Sequence, residues 1–193
     1  IQNYDKAIQL KSDFEDAYCG RGIALIGLGQ LDEAIQNYDK AIQLKPDFAE
    51  AYTHRGNALG GLGQLEEAMQ NYDKAIQLKP DYTLAYSNQG VALKDLGRLD
   101  EAIASFNKAI QLEPDYEDPY SNLLFTLNYT PDLDLNNHIA TARKFGELVT
   151  AKAGPRFPDY HCQPTPEKLR VGLVSGDLRN HPIGYFLESV LSS

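Results

Sequence analysis

The residues of this chain best suited to chemistry fall into two sets. One is a column of polar side chains at a single position of a repeating unit: His54, Asn88 and Asn122, with Gly20 at the equivalent place before them. A primary amide offers a donor and an acceptor together, so a column of asparagines can pair with an extended peptide backbone whatever its side chains. The plainer reading makes each asparagine a solvated surface residue. The other set is Asn180-His181-Pro182, where the proline suits the first position of a helix. A histidine there sits beside backbone N–H groups that favour anionic oxygens, and it can donate to phosphate or relay a proton. Its alternative is a helix N-cap without chemistry. Ser175, Gly176 and Asp177 would line the same loop. His161-Cys162 lacks further ligands at metal spacing, so no metal site is expected.

The elements that position the first set repeat every 34 residues: AYCGRGIALIGLGQLDEAIQNYDKAIQLKPDF (17–48) returns as AYTHRGNALGGLGQLEEAMQNYDKAIQLKPDY (51–82), and more loosely over 85–116. A unit of that length holds two short helices and a turn, cannot bury its apolar face alone, and stacks on its neighbours. First helices are predicted over 17–28, 51–62 and 85–96, and second helices over 32–45, 66–79 and 100–113. Gly29, Gly63 and Gly97 fall between the two as left-handed caps would, and Pro46, Pro80 and Pro114 stop the second helix. The aspartate after each proline is expected to cap the next helix. Gly22, Gly56 and Gly90, with Ala34, Ala68 and Ala102, mark close approaches of helix axes, where Tyr38, Tyr72 and Phe106 wedge between helices. Tyr18, Tyr52 and Tyr86 form a second recurring aromatic position, and Arg21 and Arg55 are read as packing and local hydrogen-bonding residues.

The chain opens in the middle of a unit: residues 1–10 match 35–44, a second helix whose first is expected upstream. Tyr4, Ala7 and Ile8 would pack on that missing helix, so self-association through this face is one expectation. A fourth unit begins near Pro119 and departs from the pattern at Pro131. Leu135, Ile139, Ala142, Phe145 and Val149 form an apolar stripe of their own, predicting a capping helix within 131–153.

With its small, aromatic and proline positions in place, residues 1–130 resemble the tetratricopeptide repeat. The resemblance implies an all-α superhelix, an α-solenoid of stacked helix pairs, that binds extended polypeptide in its concave groove. Chaperone-tail binders of this fold hold a terminal carboxylate with a clamp of lysine and asparagine. Cys19, Ile23, Thr53 and Asn57 do not assemble one.

Residues 154–168 are proline-rich without helical period and read as a linker. LRVGLVSGDLRNHPIGYFLESVL (169–191) then reads as a buried strand, a loop and the start of a helix, the first half of a βαβ unit. This stretch resembles the opening of the catalytic region of O-linked N-acetylglucosamine transferases and their plant and bacterial relatives, which place it after a tetratricopeptide array. The resemblance implies a Rossmann-like lobe whose stub is residues 169–193, a UDP-sugar donor (UDP-GlcNAc, with fucose used instead of N-acetylglucosamine by some relatives), and protein Ser or Thr as acceptor. It matches His181 to a histidine lining that active site. Asn88 and Asn122 match the asparagine ladder with which those enzymes hold substrate polypeptide, while Gly20 and His54 depart from it. The array is then a substrate-recruiting module and this stretch by itself inactive; the alternative is a non-enzymatic scaffold. The isolated stub is expected to pack on the superhelix or on another chain, or else to be poorly ordered.

Composition narrows the remaining classes. With 18 Lys and Arg against 27 Asp and Glu, net charge is −9 and no basic stripe is present, which argues against nucleic acid. No apolar run approaches the roughly 20 residues that span a bilayer. Cys19 and Cys162 are isolated thiols, not a disulfide framework, and favour a reducing, cytoplasmic setting.

Overall fold

The computed structural model describes residues 1–130 and 135–153. They form nine helices, and no strand occurs among the described residues: α1 Gln2–Leu10, α2 Glu15–Ile26, α3 Leu31–Leu44, α4 Ala49–Gly61, α5 Leu65–Leu78, α6 Thr83–Asp95, α7 Leu99–Leu112, α8 Glu117–Leu127 and α9 Leu135–Ala153. The linker and the strand-loop-helix expected over 154–193, His181 included, lie outside the described residues.

Each turn between paired helices is closed by its glycine. Gly29, Gly63 and Gly97 have φ of 75°, 78° and 75°, a conformation only glycine adopts without strain. The following residue then bonds back five positions: Gln30 N donates to Leu25 O at 3.0 Å, Gln64 N to Leu59 O at 2.9 Å and Arg98 N to Leu93 O at 2.9 Å. This pattern satisfies carbonyls that the ending helix leaves free.

Second helices end at Leu44, Leu78 and Leu112, two residues before each proline, with Lys45, Lys79 and Glu113 near-extended (ψ 90°, 88° and 87°) as a pre-proline residue must be. First helices begin two residues earlier than the spacing predicts, at Glu15, Ala49 and Thr83. The expectation that Asp47, Asp81 and Asp115 cap them fails: Phe48, Tyr82 and Tyr116 are the N-caps, and none makes a side-chain cap hydrogen bond. The early start leaves each aspartate one residue outside the helix. Phe48 and Tyr82 instead hold the junction, with Lys45 Nζ and Lys79 Nζ each 4.6 Å from the ring centroid.

The core is a row of small-on-large contacts. Ala34, Ala68 and Ala102 are fully buried, as are Tyr38 and Phe106. A Cβ on Gly22, Gly56 or Gly90 would stand 2.5–2.6 Å from the ring of Tyr38, Tyr72 or Phe106. The glycine lets the helices close over an aromatic side chain whose burial contributes about 1.5–3 kcal/mol. Arg21 donates to Asn37 Oδ1 at 2.6 Å and to Asp5 Oδ1 at 2.9 Å. Arg55 donates to Asn71 Oδ1 at 3.2 Å and forms an ion pair, without hydrogen-bond alignment, with Asp39 at 2.8 Å. In the third unit Gln89 takes over that role, donating to Asp73 at 2.8 Å and accepting from Ser105 at 3.0 Å.

At the end of this row α9 packs on α8, and Lys152 Nζ lies 2.8 Å from Glu117 Oε1. Its contact side is rotated from the stripe the sequence suggests. His138, Thr141, Phe145 and Leu148 are half-buried, whereas Ile139, Ala142 and Val149 are exposed. At the other end α1 packs on α2 through Tyr4, whose ring meets Gly20.

Candidate peptide-binding groove

First helices of successive units touch one another, α2 with α4, α4 with α6 and α6 with α8, whereas no two second helices do. The array therefore curves around the first helices, which form its inner wall. Residues that share a register every 34 positions share a place on that wall: Gly20, His54, Asn88 and Asn122 in one row, and Ile23, Asn57, Val91 and Phe125, three residues further on, in the next.

The structure treats the expected column unevenly. Above Gly20 the wall is filled by Tyr4. His54 stacks on Tyr38, with ring centroids 5.9 Å apart and planes at 21°. Burial lowers its pKa, against a smaller opposing influence of the Glu50 carboxylate, so the imidazole is neutral at pH 7. Asn88 and Asn122 are half-buried, but their amides do not bond to each other. Asn88 Nδ2 instead donates to Asn57 Oδ1 at 2.8 Å.

Asn57 is the residue the sequence reading undervalued. Its Oδ1 also accepts from Tyr72 Oη at 2.9 Å, so that oxygen is saturated and the amide is fixed in orientation. Asn57 Nδ2 and Asn88 Oδ1 make no hydrogen bond among the described residues. The interlocked pair thus keeps amide donors and an acceptor, the group types that a peptide unit can bond. Both line an open pocket of about 270 Å3 with Gly60, Gly61, Val91 and Asp95. Leu65 and Tyr72 also line it. The signal for Asn57 lay in the sequence: it follows His54 by three residues, one helical turn on the same face.

Thr53 is fully buried and donates to Ala49 O at 3.1 Å. Burial also pushes the Cys19 thiol up to about 11, with Asp16 and Glu50 adding to the shift, so it is neither ligand nor nucleophile. Among the described residues no group of His, Cys, Asp and Glu could hold a metal ion, and no helix is long and apolar enough to cross a membrane.

Family profiles match this stretch: TPR repeat over residues 24–63 and 61–97, and Tetratricopeptide repeat over 83–116. Residues 24–116 are tetratricopeptide repeats. No curated protein matches the sequence. Among solved structures the array is similar to MamA, at 23% identity and TM-score 0.68, with 78% of this chain and 86% of that chain covered. That likeness is one of fold. It is also similar to the first TPR of Spaghetti (RPAP3) bound to the HSP90 peptide SRMEEVD, at 27% identity and TM-score 0.57 over 59% of this chain and 90% of that one. The second TPR domain of human RPAP3, in complex with the HSP70 peptide SGPTIEEVD, is 26% identical with a TM-score of 0.54 over 58% and 98%.

Proposed function

We propose that the array holds an extended polypeptide in its concave groove and recruits it as substrate for an O-linked N-acetylglucosamine transferase-like catalytic region. The observation that carries the binding half is the Asn57–Asn88 pair, whose remaining amide donors and acceptor belong to residues lining an open pocket. Two peptide-bound tetratricopeptide domains among the similar structures support it. The catalytic half rests on the sequence of residues 169–191, where His181 is the residue assigned to the active site and a UDP-sugar, UDP-GlcNAc in the first instance, is the donor. The setting is cytoplasmic.

Binding is tested by fluorescence anisotropy with labelled peptides against the whole chain and its Asn57→Ala/Asn88→Ala variant. Loss of about tenfold in affinity is expected when the two backbone contacts go, and an unaltered affinity would remove the pair from the reading. The catalytic half is tested separately, by assaying release of UDP from UDP-GlcNAc by the longest chain the gene encodes. Release that disappears in His181→Ala supports an enzyme; peptide binding with no release supports the scaffold.

A further inference from the structure

The same wall holds a second feature, one row-length beyond the amide pair. Phe125 on α8 and Tyr129 in the turn just after it stand in the registers of Asn57 and Asp95, counted by two units and one unit respectively. Their rings touch, with centroids 5.1 Å apart and planes at 54°, yet they are 52% and 61% exposed. Lys94 of α6 reaches across to Phe125, its Nζ 5.3 Å from the ring centroid, and pairs with Asp95 at 3.3 Å. Two large rings left open to water beside a polar pocket are the composition of a side-chain anchor site.

Charge on the wall decides what can lie there. The four helices that form it carry three cations, Arg21, Arg55 and Lys94. Both arginines are engaged with carboxylates and amides of the second helices, and Lys94 is held by Asp95 and Phe125. Asp16, Glu50 and Asp118 stand four residues before Gly20, His54 and Asn122, which places them on the groove face of their helices. Among the described residues, Glu50 alone of these forms an ion pair, with Lys79 at 3.4 Å. A peptide rich in carboxylates meets uncompensated like charge here; one with lysine or arginine meets complementary charge, in a chain of net charge −9.

We propose that the groove is a two-part site selective for extended segments that are neutral to basic and carry an aromatic or aliphatic side chain. Asn57 and Asn88 hold the backbone, and Phe125 and Tyr129 seat the side chain. This rests on the peptide-binding reading above and adds the chemistry of the occupant. It sets the groove apart from those that hold SRMEEVD and SGPTIEEVD, whose ends are acidic.

The test uses the whole chain and labelled peptides of one Ser/Ala framework: one with a central phenylalanine flanked by lysines, one with the phenylalanine flanked by glutamates, one with alanine in place of phenylalanine, and SRMEEVD. The lysine-flanked phenylalanine peptide is expected to bind about tenfold more tightly than each of the others. Phe125→Ala/Tyr129→Ala should remove the advantage of phenylalanine over alanine while leaving the melting temperature in place, because both rings are exposed. Equal affinity for the lysine and glutamate peptides, or a phenylalanine preference that survives the double substitution, overturns the proposal. If peptides bind through Asn57 and Asn88 without regard to charge or ring, this inference falls and the peptide-binding reading stands; if none binds at all, both fall. Light scattering on the double variant covers the remaining occupant: if it dissolves a dimer without altering peptide affinity, the rings serve a second copy and the proposal is wrong.

Discussion

Gly22 lies so close against Tyr38 that a Cβ built on it would stand 2.6 Å from Tyr38 Cε1. The same relationship recurs between Gly56 and Tyr72 and between Gly90 and Phe106, so it is a property of the unit. Because the rings are buried among the fully buried alanines of the second helices, they cannot swing aside.

Gly90→Ala should therefore destabilise the array by about 1–3 kcal/mol through overpacking, despite alanine's better helix propensity. Gly20→Ala makes a contact of similar closeness, with Tyr4 at 2.5 Å, but Tyr4 is 38% exposed on a helix with no buried residue. Its ring can move, so the change is expected to cost less than about 0.5 kcal/mol. Urea unfolding of the two variants compares them directly, and equal midpoints would remove close approach as the reason for Gly90.

Tyr38 and Tyr72 occupy one position of the unit and answer differently to loss of the hydroxyl. Tyr38 Oη is buried without a partner, and the third unit already has Phe106 there. Tyr38→Phe should leave stability unchanged or raise it by up to about 1 kcal/mol. Tyr72 Oη donates to Asn57, so Tyr72→Phe should cost about 1 kcal/mol and weaken peptide binding, since Asn57 then loses the bond that fixes its orientation. Thermal melts and anisotropy on the two variants read both effects.

The repeat was legible because its constraints are local. A left-handed turn demands Gly63, a helix stop demands Pro80, and a ring wedged between backbones demands Gly56 opposite Tyr72; each is a residue type at a fixed offset. Helix starts were misplaced because Phe48 and Tyr82 act as N-caps through backbone geometry and a lysine contact, with no capping hydroxyl or carboxylate to announce them. The groove was only half legible. Spacing marks which face a side chain shares, and so found Asn88, but the offset between neighbouring helices decides its partner, and that offset comes from packing. Hence Asn88 meets Asn57, not Asn122. The rotation of α9 has the same origin: periodicity finds an apolar stripe, while the docking surface of α8 selects His138 and Leu148 over Ile139 and Val149.

Acid should weaken the array at its N-terminal half through His54. Burial against Tyr38 lowers the folded-state pKa below the ordinary 6.5, so the unfolded chain binds this proton more readily than the folded one. Stability then rises with pH up to about 6.5 and is lost progressively below it. His54→Phe keeps a ring on Tyr38 without a titrating group. The melting temperature of the native chain, measured from pH 7.5 to pH 5.5, should fall further than that of the variant; parallel curves would show that His54 is not held neutral.

Cys19 behaves in the opposite sense at high pH. Burial first, then the Asp16 and Glu50 carboxylates, push the thiol from 9.0 to about 11, so the folded state keeps a proton that the unfolded state gives up. The resulting stability is complete below about pH 9 and is lost as pH rises toward 11. Near neutrality the same shift makes the thiol inert, because the thiolate is the reacting species. In a Cys162→Ser background, which leaves Cys19 as the single thiol, labelling with a disulfide reagent at pH 8 should run roughly a hundredfold slower than for a free cysteine. Addition of denaturant should restore the ordinary rate. Fast labelling of the folded chain would mean that the α2 face carrying Cys19 opens to solvent, and that the wedge of Tyr38 beside it is looser than its burial implies.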